Sequence, residues 1–281
     1  MADQERIGIV GTGRMGQAMV RHLIRNGYGV VGHDIDAKAR DAARALGAEV
    51  VDSPAKVGQA CRFVIIAVGY DDEAEAVMLG NGGLLETMAK GAVIGVSSTC
   101  TPDHVRMLAE RAREKGIDVL DAPICRGARA AEEGTMLILC GGKAEVFERA
   151  RPIYGTFGKD MALLGEIGAG QVGKAMNNFL LWVNGIALIE AGRLCQAYGM
   201  DLARLREALL ISSGASDALK NWENVSFLWA LKDMQIVAKM ADKSGLSLPI
   251  AGAIKELVKD GRRIKQTDPP DWTGRGSKAK Q

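Results

Sequence analysis

No stretch of this 281-residue chain reaches the roughly 20 consecutive apolar residues of a membrane span, so no membrane-embedded role is expected. Its five cysteines, Cys61, Cys100, Cys125, Cys140 and Cys195, are odd in number and form no Cys-x-x-Cys pair. They read as reduced thiols and point to the cytoplasm. His22, His33 and His104 have no metal-ligand spacing, and no metal is expected. Lys and Arg number 36 against 34 Asp and Glu. The resulting net charge of +2 lacks the concentrated basic surface of a nucleic-acid binder, so none is expected as partner. The first six residues show neither the basic nor the apolar region of a signal peptide. There is no internal repeat.

What is present is an ordinary globular composition, 47% apolar and 25% charged, at a length comfortable for two domains. From Arg6 to about Gly141, short apolar runs alternate with helix-like segments. Candidate strands are Ile7–Val10, Gly29–His33, Glu49–Val51, Phe63–Val68, Val93–Ser97, Val119–Ala122 and Met136–Cys140. Runs of Val, Ile and Leu without alternation suit strands buried on both faces. Ser53-Pro54 and Thr101-Pro102 each offer a hydroxyl cap ahead of a proline at the first helical position. The pattern predicts an α/β Rossmann domain, doubly wound with a mainly parallel sheet, whose ligand lies outside the carboxyl ends of the strands. After Gly165 the chain reads as helices. Val172, Ala175, Met176, Phe179, Leu180, Val183, Ala187 and Ala191 recur at three and four spacing, the mark of one long apolar helix. Such a helix suits a domain axis or a subunit contact, hence a homodimer or homotetramer. Further helices are expected near Leu202–Ile211, Ser226–Lys243 and Pro249–Arg263. The expected divisions are residues 1–165, an all-helical domain at 166–264, and a polar tail at 265–281. That tail reads as solvated, with Asp271-Trp272 as its one candidate anchor.

Chemistry begins near the N-terminus, at Ile7-Gly8-Ile9-Val10-Gly11-Thr12-Gly13-Arg14-Met15-Gly16. A strand, a G-x-G-x-x-G turn and an amphipathic helix are what a dinucleotide pyrophosphate requires. Gly11 allows the tight turn, Gly13 lets backbone approach the phosphates, and Gly16 lets helix pack on strand. The helix start then offers N–H groups and partial positive charge to the anion. About 20 residues further on, Asp34 closes the next strand, placed to accept hydrogen bonds from both adenosine ribose hydroxyls and to repel a 2′-phosphate. Asp36 is better placed than Asp34 to cap the following helix. The expected cofactor is NAD rather than NADP.

The second informative stretch is Gly168-Ala169-Gly170-Gln171-Val172-Gly173-Lys174-Ala175-Met176-Asn177-Asn178. Lys174 and Asn178, four apart, share a helix face, and Asn177 flanks them. Two readings stand side by side. Lys174 can snorkel to solvent while the asparagines satisfy helix ends, or a lysine held in a dry cleft can act as general acid or base on a carbinol or carbonyl oxygen.

Four blocks together give the chain a resemblance to the β-hydroxyacid dehydrogenases, the group that includes 3-hydroxyisobutyrate dehydrogenase, tartronate semialdehyde reductase and sulfolactaldehyde reductase. They are Gly11 to Met19, Asp121-Ala122-Pro123-Ile124-Cys125-Arg126-Gly127 running on to Gly134-Thr135, Gly168 to Asn178, and Lys232-Asp233-Met234. The resemblance implies a Rossmann domain followed by an all-helical domain with the active site between them. It implies Lys174 as the catalytic lysine, Asn178 as the amide beside the substrate with Asn177 next to it, and Lys232 as a lysine closing over the cofactor. It further implies Thr99 near the nicotinamide and Val68-Gly69 along the cofactor's border. With Gly11, Thr12, Gly13, Arg14, Met15, Gly16 and Asp34 these complete the expected cofactor site.

The second block departs from the family's usual Asp-Ala-Pro-Val-Ser-Gly-Gly. Cys125 replaces the serine and is a weak donor. Arg126 replaces the first glycine and brings a five-donor fork suited to a carboxylate, sulfonate or phosphate. Arg126 facing solvent, or paired with Glu132 or Glu133, is the alternative; an anion-binding Arg126 beside Gly127 is favoured. The segment from Ser213 to Leu231 is about a dozen residues shorter than the family's, with Ser216, Asn221 and Trp222 as further candidate pocket residues. The expected function is interconversion of a small acidic β-hydroxy acid and its semialdehyde or keto form. An imine reductase on the same scaffold usually lacks the lysine, so Lys174 speaks against it; a non-catalytic dinucleotide sensor has no use for a proton relay, so Lys174, Asn178 and Lys232 together speak against that.

Overall fold

The computed structural model describes residues 5–274. The chain divides into two compact units, Met1–Lys174 and Ala175–Gln281.

The first unit runs β1 (Arg6–Val10), α1 (Arg14–Arg25), β2 (Gly29–His33), α2 (Ala37–Ala45), β3 (Glu49–Val50), α3 (Pro54–Ala60), β4 (Phe63–Ile66), α4 (Asp71–Leu79), β5 (Val93–Val96), α5 (Pro102–Glu114) and β6 (Asp118–Asp121). All neighbouring pairs are parallel, in the order β3-β2-β1-β4-β5-β6. This is the doubly wound dinucleotide-binding order. Its strands read as unbroken apolar runs because each face has its own core. Ile7, Ile9, Phe63, Ile65 and Val93 pack on one side. Val10, Val64, Ile66, Ile94 and Val96 pack on the other. Successive side chains of a strand point to opposite faces, so both must be apolar when helices cover both.

The seventh expected strand joins a different sheet. After β7 (Ile124–Cys125) and α6 (Gly127–Glu133), β8 (Met136–Cys140) pairs antiparallel with β7. It then pairs parallel, through the crossover helix α7 (Ala144–Tyr154), with β9 (Gly158–Leu163). A backbone bridge between Asp121 and Gly141 ties this small sheet to the end of β6. Tyr154 of α7, fully buried, bonds Ser97 Oγ at 2.9 Å, and a Cβ on Gly95 would lie 2.3 Å from its hydroxyl.

The long helix α8 (Ala169–Ala197) has 29 residues, and the two compact units divide within it, whereas the expected boundary at residue 165 precedes it. Then come α9 (Leu202–Leu210), α10 (Asp217–Lys220), α11 (Ala230–Ser244) and α12 (Pro249–Thr267). The apolar stripe read for α8 is mostly not its core face. Of it, Ala175 is buried and Phe179 and Val183 are half-buried, while Val172, Met176, Leu180, Ala187 and Ala191 are exposed; Trp182, Ile186 and Ile189, outside that stripe, are buried. Helix α11 starts at Ala230 and not at Ser226, because Phe227 adopts a left-handed φ of 56° that no helix accepts. That turn drives the Phe227 ring into the core of the second unit. It lies against Gly185 of α8 and Gly261 of α12, where a Cβ would come within 2.9 and 2.6 Å of it, and 5.3 Å from the Trp182 ring.

The expected solvated tail from residue 265 is corrected in its described part. Helix α12 runs on to Thr267, and Trp272 is fully buried, its Nε1 donating to Leu188 O at 3.0 Å. Pro270 seats on Gly192 and accepts from Trp222 Nε1 at 3.0 Å. Lys265 lies 3.7 Å from the Trp222 ring centroid, and burial pushes its ammonium down to about 8. Residues 275–281 lie outside the described residues. Truncating a fully buried tryptophan costs about 3–5 kcal/mol. Trp272→Ala should therefore lower the urea-unfolding free energy of the second unit by that amount, and a loss under about 1 kcal/mol would return the segment to the surface.

Candidate active site

The glycine turn is built as its spacing requires. Gly11 has φ of 94°, and a Cβ there would meet Ala67 O at 2.5 Å. A Cβ on Gly16 would meet Gly11 O at 2.1 Å, so α1 can lie on β1 only with glycine at this position. A Cβ on Gly13 would meet nothing within 4 Å, which leaves open space above the backbone. The first turn of α1 carries no side-chain cap and no acidic residue, so its N–H groups and partial positive charge stay available to an anion. Thr12 is fully buried, and its Oγ1 has no hydrogen-bond partner among the described residues. Its N–H donates to Asp34 Oδ2 at 2.7 Å, which joins the ends of β1 and β2. Asp34 Oδ1 accepts from the Asp36 N–H at 2.9 Å, while Asp36 itself caps α2 through the Lys38 N–H. Arg40 donates to the carbonyls of Asp34 and Ile35, at 2.7 and 3.0 Å. Arg14 reaches Glu132 of α6 at 3.3 Å, and Met15 packs on the core. Open backbone at Gly13, an uncapped helix start and an orphaned buried hydroxyl together fit a dinucleotide.

The loops after β4 and β5 complete this edge of the sheet. Val68 donates its N–H to Ser98 Oγ at 2.9 Å, and Gly69 donates to Glu73 Oε2 at 2.7 Å. Thr99 is half-buried between buried Ser98 and Cys100. The expected hydroxyl cap at Ser53 is present. The one at Thr101 is not: its hydroxyl and N–H both go to Asp71, at 2.9 and 3.1 Å, tying the starts of α4 and α5 together.

Two residues of the quoted blocks prove more important than their motif reading suggested. Asp121, at the end of β6, is fully buried and accepts from the Gly168 and Gln171 N–H groups at 3.0 and 3.1 Å, and from Gln171 Nε2 at 3.0 Å. Burial dominates and pushes its carboxyl up to about 6, against the pull of the bonds from Gln171 and Gly168. The sequence signal was there: an acid opening the second block, and a glutamine between Gly170 and Lys174 in the third. Lys174, one turn beyond Gln171, is half-buried. Asn178 is 5% exposed and accepts from Asn177 Nδ2 at 3.0 Å, so the two asparagines act as a pair. On α11, Lys232 Nζ stands 5.9 Å from the Trp229 ring centroid, and buried Asp233 accepts from Trp182 Nε1 at 2.9 Å.

Cys125 is buried in β7. Arg126 and Gly127 follow with φ of 77° and 71°, two left-handed residues in succession. The backbone therefore explains why a glycine is the family's usual residue at 126. The guanidinium does not pair with Glu132 or Glu133, which go to Arg14 and Arg129. Its Nη1 donates to Asp160 Oδ2 of β9 at 2.6 Å and to Thr135 O at 3.0 Å. The further pocket candidates are occupied elsewhere in the second unit. Ser216 caps α10, Asn221 bonds Asp217, and Trp222 is buried under Lys265.

Comparison with known proteins agrees with this geometry. The model of the NAD-binding domain of 6-phosphogluconate dehydrogenase matches residues 6–173, and that of NADP-dependent 3-hydroxyisobutyrate dehydrogenase matches residues 168–271. The chain belongs to the β-hydroxyacid dehydrogenase family. It is 35% identical over 270 residues to 2-(hydroxymethyl)glutarate dehydrogenase of Eubacterium barkeri, covering 92% of this chain and 90% of that one. It is 32% identical over 262 residues to 2-hydroxy-3-oxopropionate reductase of Escherichia coli, covering 90% and 89%. A solved 3-hydroxyisobutyrate dehydrogenase of Mycobacterium tuberculosis with L-serine shares the fold, with a TM-score of 0.84 at 22% identity over 96% of this chain and 97% of that one. This family member is thus an oxidoreductase acting on CH–OH groups with a nicotinamide dinucleotide.

Two measurements test the site's physics. A left-handed non-glycine residue costs about 1–2 kcal/mol, whereas an exposed ion pair returns under about 1 kcal/mol. Arg126→Gly should therefore be more stable than Arg126→Ala by about 1 kcal/mol in urea unfolding; equal stabilities would remove the strain argument. Asp121 holds its proton more tightly folded than unfolded. Between about pH 4 and 6 the folded chain therefore binds the extra proton, and this group's contribution to stability falls as pH rises through that window, levelling above it. Against Asp121→Asn, the native protein should gain stability as pH drops from 6 to 4, and parallel curves would show that the carboxyl is not perturbed.

Proposed function

We propose that the chain interconverts a small acidic β-hydroxy acid and its semialdehyde or keto form, preferring NAD, with Lys174 as general acid and base. The observation that carries this is the start of α8: a buried carboxylate fixes its first turn, and Lys174 and then buried Asn178 follow at one-turn spacing. The helix turn that bears Lys174 is thereby fixed to the end of β6. In oxidation, neutral Lys174 Nζ takes the hydroxyl proton; in reduction, the protonated amine returns it to the carbonyl oxygen. Asn178, its carbonyl already satisfied by Asn177, has its own N–H donors for the reacting oxygen. The bound nicotinamide supplies or accepts the hydride. Gly11 to Gly16, including Arg14 and Met15, would hold the pyrophosphate, Asp34 the adenosine ribose, and Val68, Gly69, Thr99 and Lys232 the nicotinamide half.

The preference for NAD rests on Asp34. Its carboxylate is fixed by the Thr12 N–H, and Arg40 is spent on backbone carbonyls and so is not held ready for a 2′-phosphate. For the substrate's acidic group, the Gly127 N–H and the donors of Arg126 beyond its Asp160 contact are the candidates, with Cys125 contributing backbone only. We assign most of the cofactor site to residues 1–165, which also bring Cys125, Arg126 and Gly127 to the substrate, and assign Lys174, Asn177, Asn178 and the cofactor-closing Lys232 to the helical domain. The exposed Met176, Leu180 and Leu194 on α8 support self-association as a homodimer or homotetramer, and the reduced cysteines support a cytoplasmic setting.

Lys174→Ala should lower kcat by about 10²- to 10⁴-fold while NADH affinity holds. Full activity in that variant would end the general acid–base assignment. In a substrate screen with both cofactors, kcat/KM with NAD should exceed that with NADP by about tenfold or more, and Asp34→Ala should narrow the gap. Arg126→Gly should move the profile toward acids with a single carboxylate; an unmoved profile would take Arg126 out of the pocket.

A further inference from the structure

Gln171 is 1% exposed, and both polar atoms of its side chain are in use. Its Oε1 accepts the Cys100 N–H at 2.9 Å, and its Nε2 donates to Ser98 O and to Asp121 Oδ1, each at 3.0 Å. The contacts to Ser98 and Cys100 bracket Thr99 from one side, as the backbone of a neighbouring strand would. Strand β5 ends at Val96; the N–H groups of Ser97 and Ser98 still reach Ile66 O at the end of β4, at 2.8 and 3.1 Å, and the register of the sheet goes no further. From Ser98 O to the Cys100 N–H the glutamine amide bonds the chain as a peptide group of a neighbouring strand would. Glutamate has the reach but no donor when ionised, and methionine or leucine has neither donor nor acceptor of this kind. Asp121 completes the device by holding both the side-chain amide and the backbone N–H of Gln171, which leaves the clamp little rotamer freedom.

We propose that Gln171, held by Asp121, is a positioning residue that sets the backbone at Thr99 relative to the helix turn bearing Lys174. The inference rests on the roles given above to Thr99, beside the nicotinamide, and to Lys174, at the reacting oxygen. One side chain then references the loop that aligns hydride transfer to the helix that aligns proton transfer. Misplacement by about 1 Å far from the chemistry can cost on the order of 10²-fold in rate. Gln171 touches neither substrate nor cofactor in this scheme; its effect passes through Thr99.

The test compares the wild-type protein with Gln171→Leu and Gln171→Glu. Amide exchange is followed by NMR without added cofactor, NADH affinity by fluorescence titration, and turnover with the hydroxy acid that the screen identifies, unlabelled and deuterated at its carbinol carbon. In Gln171→Leu the Cys100 amide should exchange at least about tenfold faster while amides of β1 do not change. The NADH Kd should stay within about threefold, and kcat should fall about 10- to 100-fold with a larger deuterium isotope effect. Unchanged exchange at Cys100 overturns the clamp; normal exchange kinetics elsewhere with an unchanged kcat overturns its positioning role. If Gln171→Leu does not fold, Gln171→Glu decides. It keeps the acceptor for Cys100 but donates only when its introduced carboxyl is protonated, so its kcat relative to wild type should rise as pH falls, and a flat ratio overturns the proposal. A wild-type protein inactive on every hydroxy acid, with Cys100 protected by Gln171 all the same, refutes the assigned function and the positioning role while leaving the clamp standing as structure alone.

Discussion

A carboxylate with no access to water holds the start of the longest helix in this protein. Asp121 sits at the end of β6, where the edge of a parallel sheet would otherwise present loose backbone, and gathers the N–H groups of Gly168 and Gln171. The arrangement works because two needs coincide. The first turn of a helix has N–H groups without partners, and a buried acid has lone pairs without water. Each satisfies the other, and the glycines on either side exist to let them approach. A Cβ on Gly170 would lie 2.9 Å from the Asp121 carboxylate, and one on Gly141 would lie 2.5 Å from Glu166 O. The second block and the third block of the sequence are thus one device. The acid of the former is the anchor of the latter.

The same logic explains why the parallel sheet was legible and the small sheet was not. Strands β1, β4 and β5 are buried on both faces, so their residues are apolar without interruption and announce themselves. Strand β9 reads Gly-Lys-Asp-Met-Ala-Leu, with Lys159 and Asp160 exposed. Charges of this kind guard an edge strand against pairing with other chains, and they erase the signal that identifies a strand. Strand β7 has two residues and can be recognised only from its partner. The Asp160–Arg126 pair depended on both, so the guanidinium's partner was out of reach while β9 itself went unread.

In the helical region, element type was legible and its limits were not. The spacing of apolar residues along α8 marked a helix, yet it could not say which stripe faces the core, because both stripes are apolar. Phe227 shows a different obstacle. A left-handed phenylalanine is against local preference, and it persists because Gly185 and Gly261 clear a slot for its ring. Those three positions are far apart in sequence, and none is unusual alone. The Trp272 anchor is alike in kind: a polar, proline-containing segment reads as solvated until Gly192 and Leu188 O are known to lie beneath it.

Arg126 brings these threads to the question of specificity. A left-handed pair at residues 126 and 127 is a property of the turn, set by how β7 must hand over to α6, and glycine satisfies it at no steric cost. An arginine there accepts strain, and the exposed pair with Asp160 is too weak to offset all of it. Stability alone therefore gives no reason for an arginine at this position. The strained residue stands directly before Gly127, where a Cβ would meet no atom within 4 Å. Backbone strain of this kind clusters at binding sites, which is why the proposal above gives Arg126 a role beyond stability. Both Arg126 contacts, to Asp160 Oδ2 and to Thr135 O, use Nη1, so the pair with Asp160 is compatible with the proposed anion-binding role of the other nitrogens.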